Sequence, residues 1–130
     1  MNNVEKIKKD NALFSILKGY IISIVLSTIL LISYACILIN TSIEEKTIKP
    51  VVIGISGISI LVGSIFSCLK IKKKGILNGV AVGTLYYFTL YILSSIVFCG
   101  FSFNISSLIM ILIGILLGGI GGVLGVNLRK

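Results

Sequence analysis

Four uncharged apolar runs divide the chain, each set off by a polar or charged segment. They cover Gly19 to Ile39, Val51 to Leu69, Ile76 to Phe98 and Leu108 to Leu128, with lengths of 21, 19, 23 and 21 residues. A helix of about 20 residues is about 30 Å long, the hydrocarbon thickness of a bilayer, so each run can span. The pattern predicts an all-α fold: an integral membrane four-helix bundle of two transmembrane hairpins, forming one domain over residues 1–130. Outer loops are expected at 40–50 and 99–107 and a cytoplasmic loop at 70–75. Pro50 stands where the second helix would start, a position at which its missing backbone donor costs little. Residues 1 to 12, which include Glu5, Lys6, Lys8, Lys9 and Asp10, read as a short polar lead-in, and Lys18 interrupts the apolar pattern before Gly19.

Composition agrees with that solvent. Hydrophobic residues make up 56% of the chain and charged ones 12%, too little polar material to cover a soluble domain of this size. The net charge of +8 would point to nucleic acid in a soluble protein, but here the charges lie between the apolar runs, so no nucleic-acid partner is expected. Lys6, Lys8, Lys9, Lys18, Lys70, Lys72, Lys73, Lys74, Arg129 and Lys130 all fall on one side of the threaded chain, and only Lys46 and Lys49 on the other, beside Glu44 and Glu45. The positive-inside bias then places both termini and the Lys70 to Lys74 loop in the cytoplasm, with the protein in the plasma membrane. Cleavage signals compete poorly with this reading. The first run is longer than a secretory core, and Ser33 and Tyr34 fit a lipoprotein site at Ala35–Cys36 badly. Asn40-Thr41-Ser42 and Asn104-Ile105-Ser106 are formal glycosylation triplets of the kind that arise by chance.

Lipid gives helices no hydrophobic reason to associate, so packing is expected over small residues that let backbones approach. On the third run Gly75, Gly79 and Gly83 lie four apart; on the fourth Gly114, Gly118, Gly121, Gly122 and Gly125 share one arc. The second carries Ser56, Ser59, Gly63 and Ser67 on one face and Gly54, Gly57 and Ser64 on another, which marks it as the central helix. The first offers Gly19, Tyr20, Ser23, Ser27 and Tyr34. Gly63, Gly75, Gly79, Gly83, Gly114, Gly118, Gly122 and Gly125 are the expected helix-packing residues; a dimer interface or a permeation path would use the same stripes. An offset of 56 lays Lys18-Gly19 on Lys74-Gly75, Thr28 on Thr84 and Gly63 on Gly119, which reads as a parallel repeat of helical hairpins.

Chemistry is sparse. No Asp, Glu, Lys, Arg or His lies within the four runs, which counts against a proton pump or an antiporter. Four-span multidrug exporters of similar length carry a membrane-embedded glutamate that this chain lacks. Fluoride channels of similar size carry repeated threonines that are missing around Cys99-Gly100-Phe101-Ser102-Phe103. Cys36, Cys68 and Cys99 have no CxxC spacing and no histidine beside them, so no metal or cofactor is expected. They read as small apolar helix residues, with a Cys36–Cys99 disulfide as the alternative. Asn78 is the most polar residue well inside a span, suited to an interhelical hydrogen bond. Lys70, Lys72, Lys73 and Lys74 form a topology determinant that also attracts anionic lipid headgroups. With no nucleophile beside a base and no carboxylate pair, the chain is not expected to be an enzyme.

The KKKGILNGVAVGTLYY stretch that opens the third span and the GGIGGVLGVNLRK ending resemble a family of small four-span bacterial membrane proteins found in spore-forming Gram-positive bacteria. The resemblance implies a plasma-membrane location and an unknown function, and it transfers no catalytic residues. The reading is a non-enzymatic structural or accessory subunit acting by helix–helix association with a membrane-protein partner or a second copy. The alternative is a small oligomeric transporter or channel, which reconstituted vesicles without flux would argue against.

Overall fold

The structure is a computed structural model that describes residues 2–69, 71, 74–97 and 104–128. Lys70, Lys72, Lys73, Cys99, Arg129 and Lys130 lie outside the described residues, and with them most of the basic cluster and the Cys36–Cys99 pair. Four helices make up the fold: α1 (Asn2–Asn40), α2 (Ile48–Cys68), α3 (Gly75–Val97) and α4 (Ile105–Asn127). Among the described residues there is no strand. All four helices are long and apolar enough to cross a membrane.

Two boundaries differ from the sequence reading. The polar lead-in is helical, because residues 2–18 hold neither proline nor glycine and are rich in the straight-chain helix formers Glu5, Lys6, Lys8, Lys9, Leu13 and Leu17. The 17 residues of α1 before Gly19 extend it by about 25 Å. A single 3-10 turn, Glu45–Thr47, then leads straight into α2. Pro50 therefore sits in the first turn of α2, where backbone donors have no intrahelical acceptor.

Helix α2 touches all three others, whereas among the described residues α1 and α4 do not meet. Ser15 and Gly19 lie beside Ser67, and Ser23 beside Gly63, so α1 and α2 run antiparallel. Gly75, Gly79 and Gly83 lie beside Gly122, Gly118 and Gly114, so α3 and α4 do too. Gly121 approaches Leu61 while Gly125 approaches Ile65, which makes α2 and α4 parallel. The sorting of side chains is the reverse of a soluble fold. Ser23, Ser27, Ser56, Ser59, Ser64 and Ser67 are buried, while Phe14, Ile32, Leu77, Phe88, Leu93 and Leu116 point outward. The accessible surface is 9295 Å², against about 6,700 Å² for a soluble protein of 14.0 kDa. Inside, Ile60 packs with Tyr86 and Tyr87, whose rings meet edge to face at 5.8 Å and 87°.

The buried serines make few demands on their neighbours. Ser23 Oγ donates to the Gly19 carbonyl at 3.0 Å, Ser27 Oγ to Ile24 at 2.9 Å and Ser59 Oγ to Ile55 at 2.8 Å, all within their own helices. Such back-bonding lets a small polar residue enter a lipid-immersed interior with its hydroxyl satisfied. Backbones approach across these positions at little polar cost.

The two antiparallel pairs repeat one another. Gly19 and Ser23 on α1 correspond to Gly75 and Gly79 on α3, 56 residues later, and each pair forms successive rungs with its partner helix. Thr28 Oγ1 donates to the Ile24 carbonyl and Thr84 Oγ1 to Val80, both at 2.8 Å. Ser33 Oγ donates to Ile29 at 2.9 Å and Thr89 Oγ1 to Leu85 at 3.0 Å, again 56 apart. Between α2 and α4 the offset is 59, since Gly63 faces the Gly19 carbonyl and Ser23 as Gly122 faces the Gly75 carbonyl and Gly79, and Ser67 meets Gly19 as Val126 meets Gly75. Gly63 thus matches Gly122 rather than Gly119, because the connection before α4 is three residues longer in register than the uniform offset requires.

Candidate functional site

Along the α3–α4 seam the two helices meet largely backbone to backbone. A Cβ added to Gly79 would collide with the Gly118 carbonyl oxygen and lie 2.8 Å from Gly122 Cα. One added to Gly75 would meet Val126 and come within 2.6 Å of the Gly122 carbonyl oxygen; one on Gly83 would meet the Gly114 carbonyl. The reverse holds from α4, where Gly118 faces the Gly79 carbonyl and Gly122 the Gly75 carbonyl, while Gly114 is closed over by the Tyr87 ring. Seven of the eight glycines expected at packing positions, all but Gly63, are therefore placed on α3 and α4. Six of these, Gly75, Gly79, Gly83, Gly114, Gly118 and Gly122, meet in a single seam.

Gly125 lies on another side of α4, where an added Cβ would stand 2.6 Å from the Ile65 carbonyl oxygen and 2.8 Å from Cys68 Cβ. Gly121 does the same one turn earlier, 2.8 Å from the Leu61 carbonyl oxygen and from Ser64 Cβ. Gly63 belongs to the α1–α2 seam, opposite Ser23 and 2.6 Å from the Gly19 carbonyl oxygen. Of the α2 small residues, Gly57 is covered by Leu117, whereas Gly54 has open space around it. Leu61 and Ile65 had no signature in the sequence, because what they contribute is a carbonyl that every residue carries.

Polar bonds between helices are few. Ser67 Oγ donates to the Ser15 carbonyl at 2.8 Å, and the Tyr20 and Thr89 hydroxyls share a bond of 2.6 Å. Cys68 Sγ donates to the Gly75 carbonyl at 3.3 Å, and Ser64 Oγ makes a long 3.5 Å contact with the Gly79 carbonyl. Asn78 is buried on the same side of α3 as Gly75 and Gly79, one turn from the helix start, and its backbone N–H donates to the Lys74 carbonyl at 3.2 Å. The hydroxyls of Tyr34 and Tyr87 are buried without a partner.

Lys74 is exposed and adopts φ 65°, a left-handed turn directly before α3. Lys18 ends up at the same end of the bundle, since Gly19 abuts Ser67 and Cys68 abuts Gly75. Every described Asp, Glu and Lys from Asn3 onward is exposed. Among the described residues no three His, Cys, Asp or Glu side chains converge as a metal site would require. Cys68 is buried and Cys36 exposed. What this arrangement can do is hold helices close through their backbones and present a large apolar exterior.

On the outer side of the α3–α4 seam runs an open apolar groove of ≈ 430 Å³, lined by Ile76 and Val80 from α3 and by Ile115, Leu116, Gly119, Ile120, Val123 and Leu124 from α4. A Cβ on Gly119 would lie 3.5 Å from Val80 Cγ2 and 3.9 Å from Ile76 Cγ2, ordinary contacts with side-chain tips.

No curated protein and no solved structure is similar to this chain. Residues 12–125, which include nearly all of the four helices and both seams, match the family described as protein of unknown function DUF3792. The chain with these paired small-residue seams therefore belongs to the DUF3792 family.

Proposed function

We propose that the chain is a multi-pass protein of the bacterial plasma membrane, not an enzyme, that serves as a structural or accessory subunit through helix–helix association. The observation that supports this is the distribution of side chains. Small residues line most of the interior around the Ile60–Tyr86–Tyr87 cluster, every described Asp, Glu and Lys from Asn3 onward is exposed, and most of the long apolar side chains face outward. Such a molecule has a built scaffold and a broad apolar exterior. Its interior offers no acidic or basic group among those residues to bind a substrate or relay a proton.

In this reading both termini and the Lys70 to Lys74 loop are cytoplasmic. The placement of Lys18 and Lys74 at one end of the bundle supports the charge bias. The basic cluster also draws anionic headgroups, at about 1 kcal/mol for each residue near a charged leaflet. Purification from native membranes in mild detergent tests the proposal. A stable complex with another membrane protein is expected, and recovery of the chain alone and monomeric overturns it.

A further inference from the structure

Helix α1 carries a heptad pattern on the side that the bundle leaves free. Position a falls on Val4, Asn11, Lys18, Val25, Ile32 and Ile39, and position d on Ile7, Phe14, Ile21, Thr28 and Ala35. All of these residues are exposed, and of the seven possible heptad phases this is the only one that stays exposed along the helix. The bundle uses another side of α1, through Gly19, Ser23 and Ser27.

Lipid can cover the part of this stripe that lies in the membrane, but not the rest. Ser67 bonds the Ser15 carbonyl and α2 ends one residue later, at Cys68, so α1 runs on past the bundle. The 13 residues of α1 before Ser15 extend it by about 20 Å. There Val4, Ile7 and Phe14 are 67%, 62% and 72% exposed, apolar side chains with neither the bundle nor lipid beside them. The stripe they begin continues unbroken down the membrane.

Its composition selects a second copy of the chain. The apolar a residues Val4, Val25, Ile32 and Ile39 are all β-branched, the choice that favours two parallel strands. Asn11 and Lys18 also fall at a, where a polar residue sets register and strand number. Lys18 stands at the membrane boundary, where its stem lets the ammonium reach the headgroups. Two copies inserted the same way bring α1 to α1 in parallel. In that pairing g of one helix faces the next e of its partner, so Asn3 meets Lys8 and Asp10 meets Ser15, and no like charges oppose. The 36 residues from Val4 to Ile39 make a face about 54 Å long and about 10 Å wide, about 1,100 Å² over both partners. A specific contact needs about 1,000 Å².

We infer that α1 zips against α1 of a second copy as a parallel, left-handed coiled coil that starts in the cytoplasm and continues through the bilayer. The inference rests on the membrane-spanning reading above and names the surface through which association occurs. The seam glycines are not that surface, because they are closed within the chain.

The test uses the full chain in native membranes, with Cys36→Ser and Cys99→Ser and with the buried Cys68 kept. Single cysteines are added at d, by Phe14→Cys or Ala35→Cys, or at exposed positions off the stripe, by Leu13→Cys or Ser33→Cys. Oxidation with copper phenanthroline is expected to give disulfide-linked dimers at least tenfold faster at the two d positions. Phe14→Glu, placed beyond the bundle, is expected to slow crosslinking of Ala35→Cys at least tenfold while helicity and thermal midpoint stay unchanged. Equal rates on and off the stripe overturn the inference, as does crosslinking of Ala35→Cys that ignores Phe14→Glu. Phe14→Cys trapped only on a different protein overturns the second copy. A dimer recovered without any other protein supports the α1 contact and denies the partner expected above, whereas equal rates sink the contact and not that partner.

Discussion

Substituting alanine at Gly79 and at Gly119 compares a glycine inside the α3–α4 seam with one on the groove beside it. At Gly79 the new methyl would lie 2.8 Å from Gly122 Cα and closer still to the Gly118 carbonyl oxygen, all backbone atoms that cannot rotate away. Carbon atoms rest at about 3.5–4.0 Å, so the helices must separate locally by about 0.7–1.2 Å. A gap of that size removes a quarter to a half of the dispersion energy along the seam. Overpacking of this kind costs about 1–3 kcal/mol, and the rigid backbone neighbours put Gly79→Ala near the upper end. At Gly119 the methyl meets Val80 and Ile76 side-chain tips at 3.5 and 3.9 Å, so no separation is needed. Both positions are interior to helices, so the gain in helix propensity of about 1 kcal/mol cancels between them. Gly79→Ala is therefore expected to be about 3 kcal/mol less stable than Gly119→Ala, about 150-fold in the unfolding equilibrium. Unfolding by sodium dodecyl sulfate in mixed micelles, followed by circular dichroism, measures the difference. Equal midpoints for the two variants would refute a backbone seam between α3 and α4.

Other perturbations report on separate features. Removing the Tyr20–Thr89 bond by Tyr20→Phe is expected to cost about 0.6 kcal/mol, and a double-mutant cycle with Thr89→Val isolates the pair; a coupling of zero would mean that the bond does not hold α1 to α3. Lys74→Gly relieves a left-handed conformation at φ 65° and is expected to raise stability by about 1 kcal/mol in the same titration, with no gain expected if that turn is absent in the membrane. Treating intact cells with an impermeant amine reagent and mapping the peptides is expected to modify Lys46 and Lys49 and to spare Lys6, Lys8, Lys9 and Lys72. The opposite labelling pattern would reverse the orientation.

The spans were readable in the sequence because a bilayer demands length and apolarity and little else, and those are visible residue by residue. The small-residue stripes were readable for a related reason: Gly75, Gly79 and Gly83 recur at the spacing of one helix face. What could not be read was pairing. Gly118 and Gly119 are neighbours, and only the contacts with α3 show that the first closes the seam while the second floors the groove. The extent of α1 was missed because the uncharged apolar pattern stops at Lys18, whereas the helix continues through residues 2–18 on propensity alone. The carbonyls of Leu61 and Ile65 had no signal at all, since close approach to a backbone is a property of the surface that arrives.

The α3–α4 seam also has a thermal consequence. Glycine has no χ angles, so zipping the two rods together immobilises few rotamers, chiefly those of Tyr87 and Val126, unlike an interface of leucines, where each side chain surrenders about 0.5–1 kcal/mol of disorder. In a bilayer the rods have already lost their chain flexibility before they meet. The clasp should accordingly loosen less on warming than one built from interlocking hydrocarbon side chains.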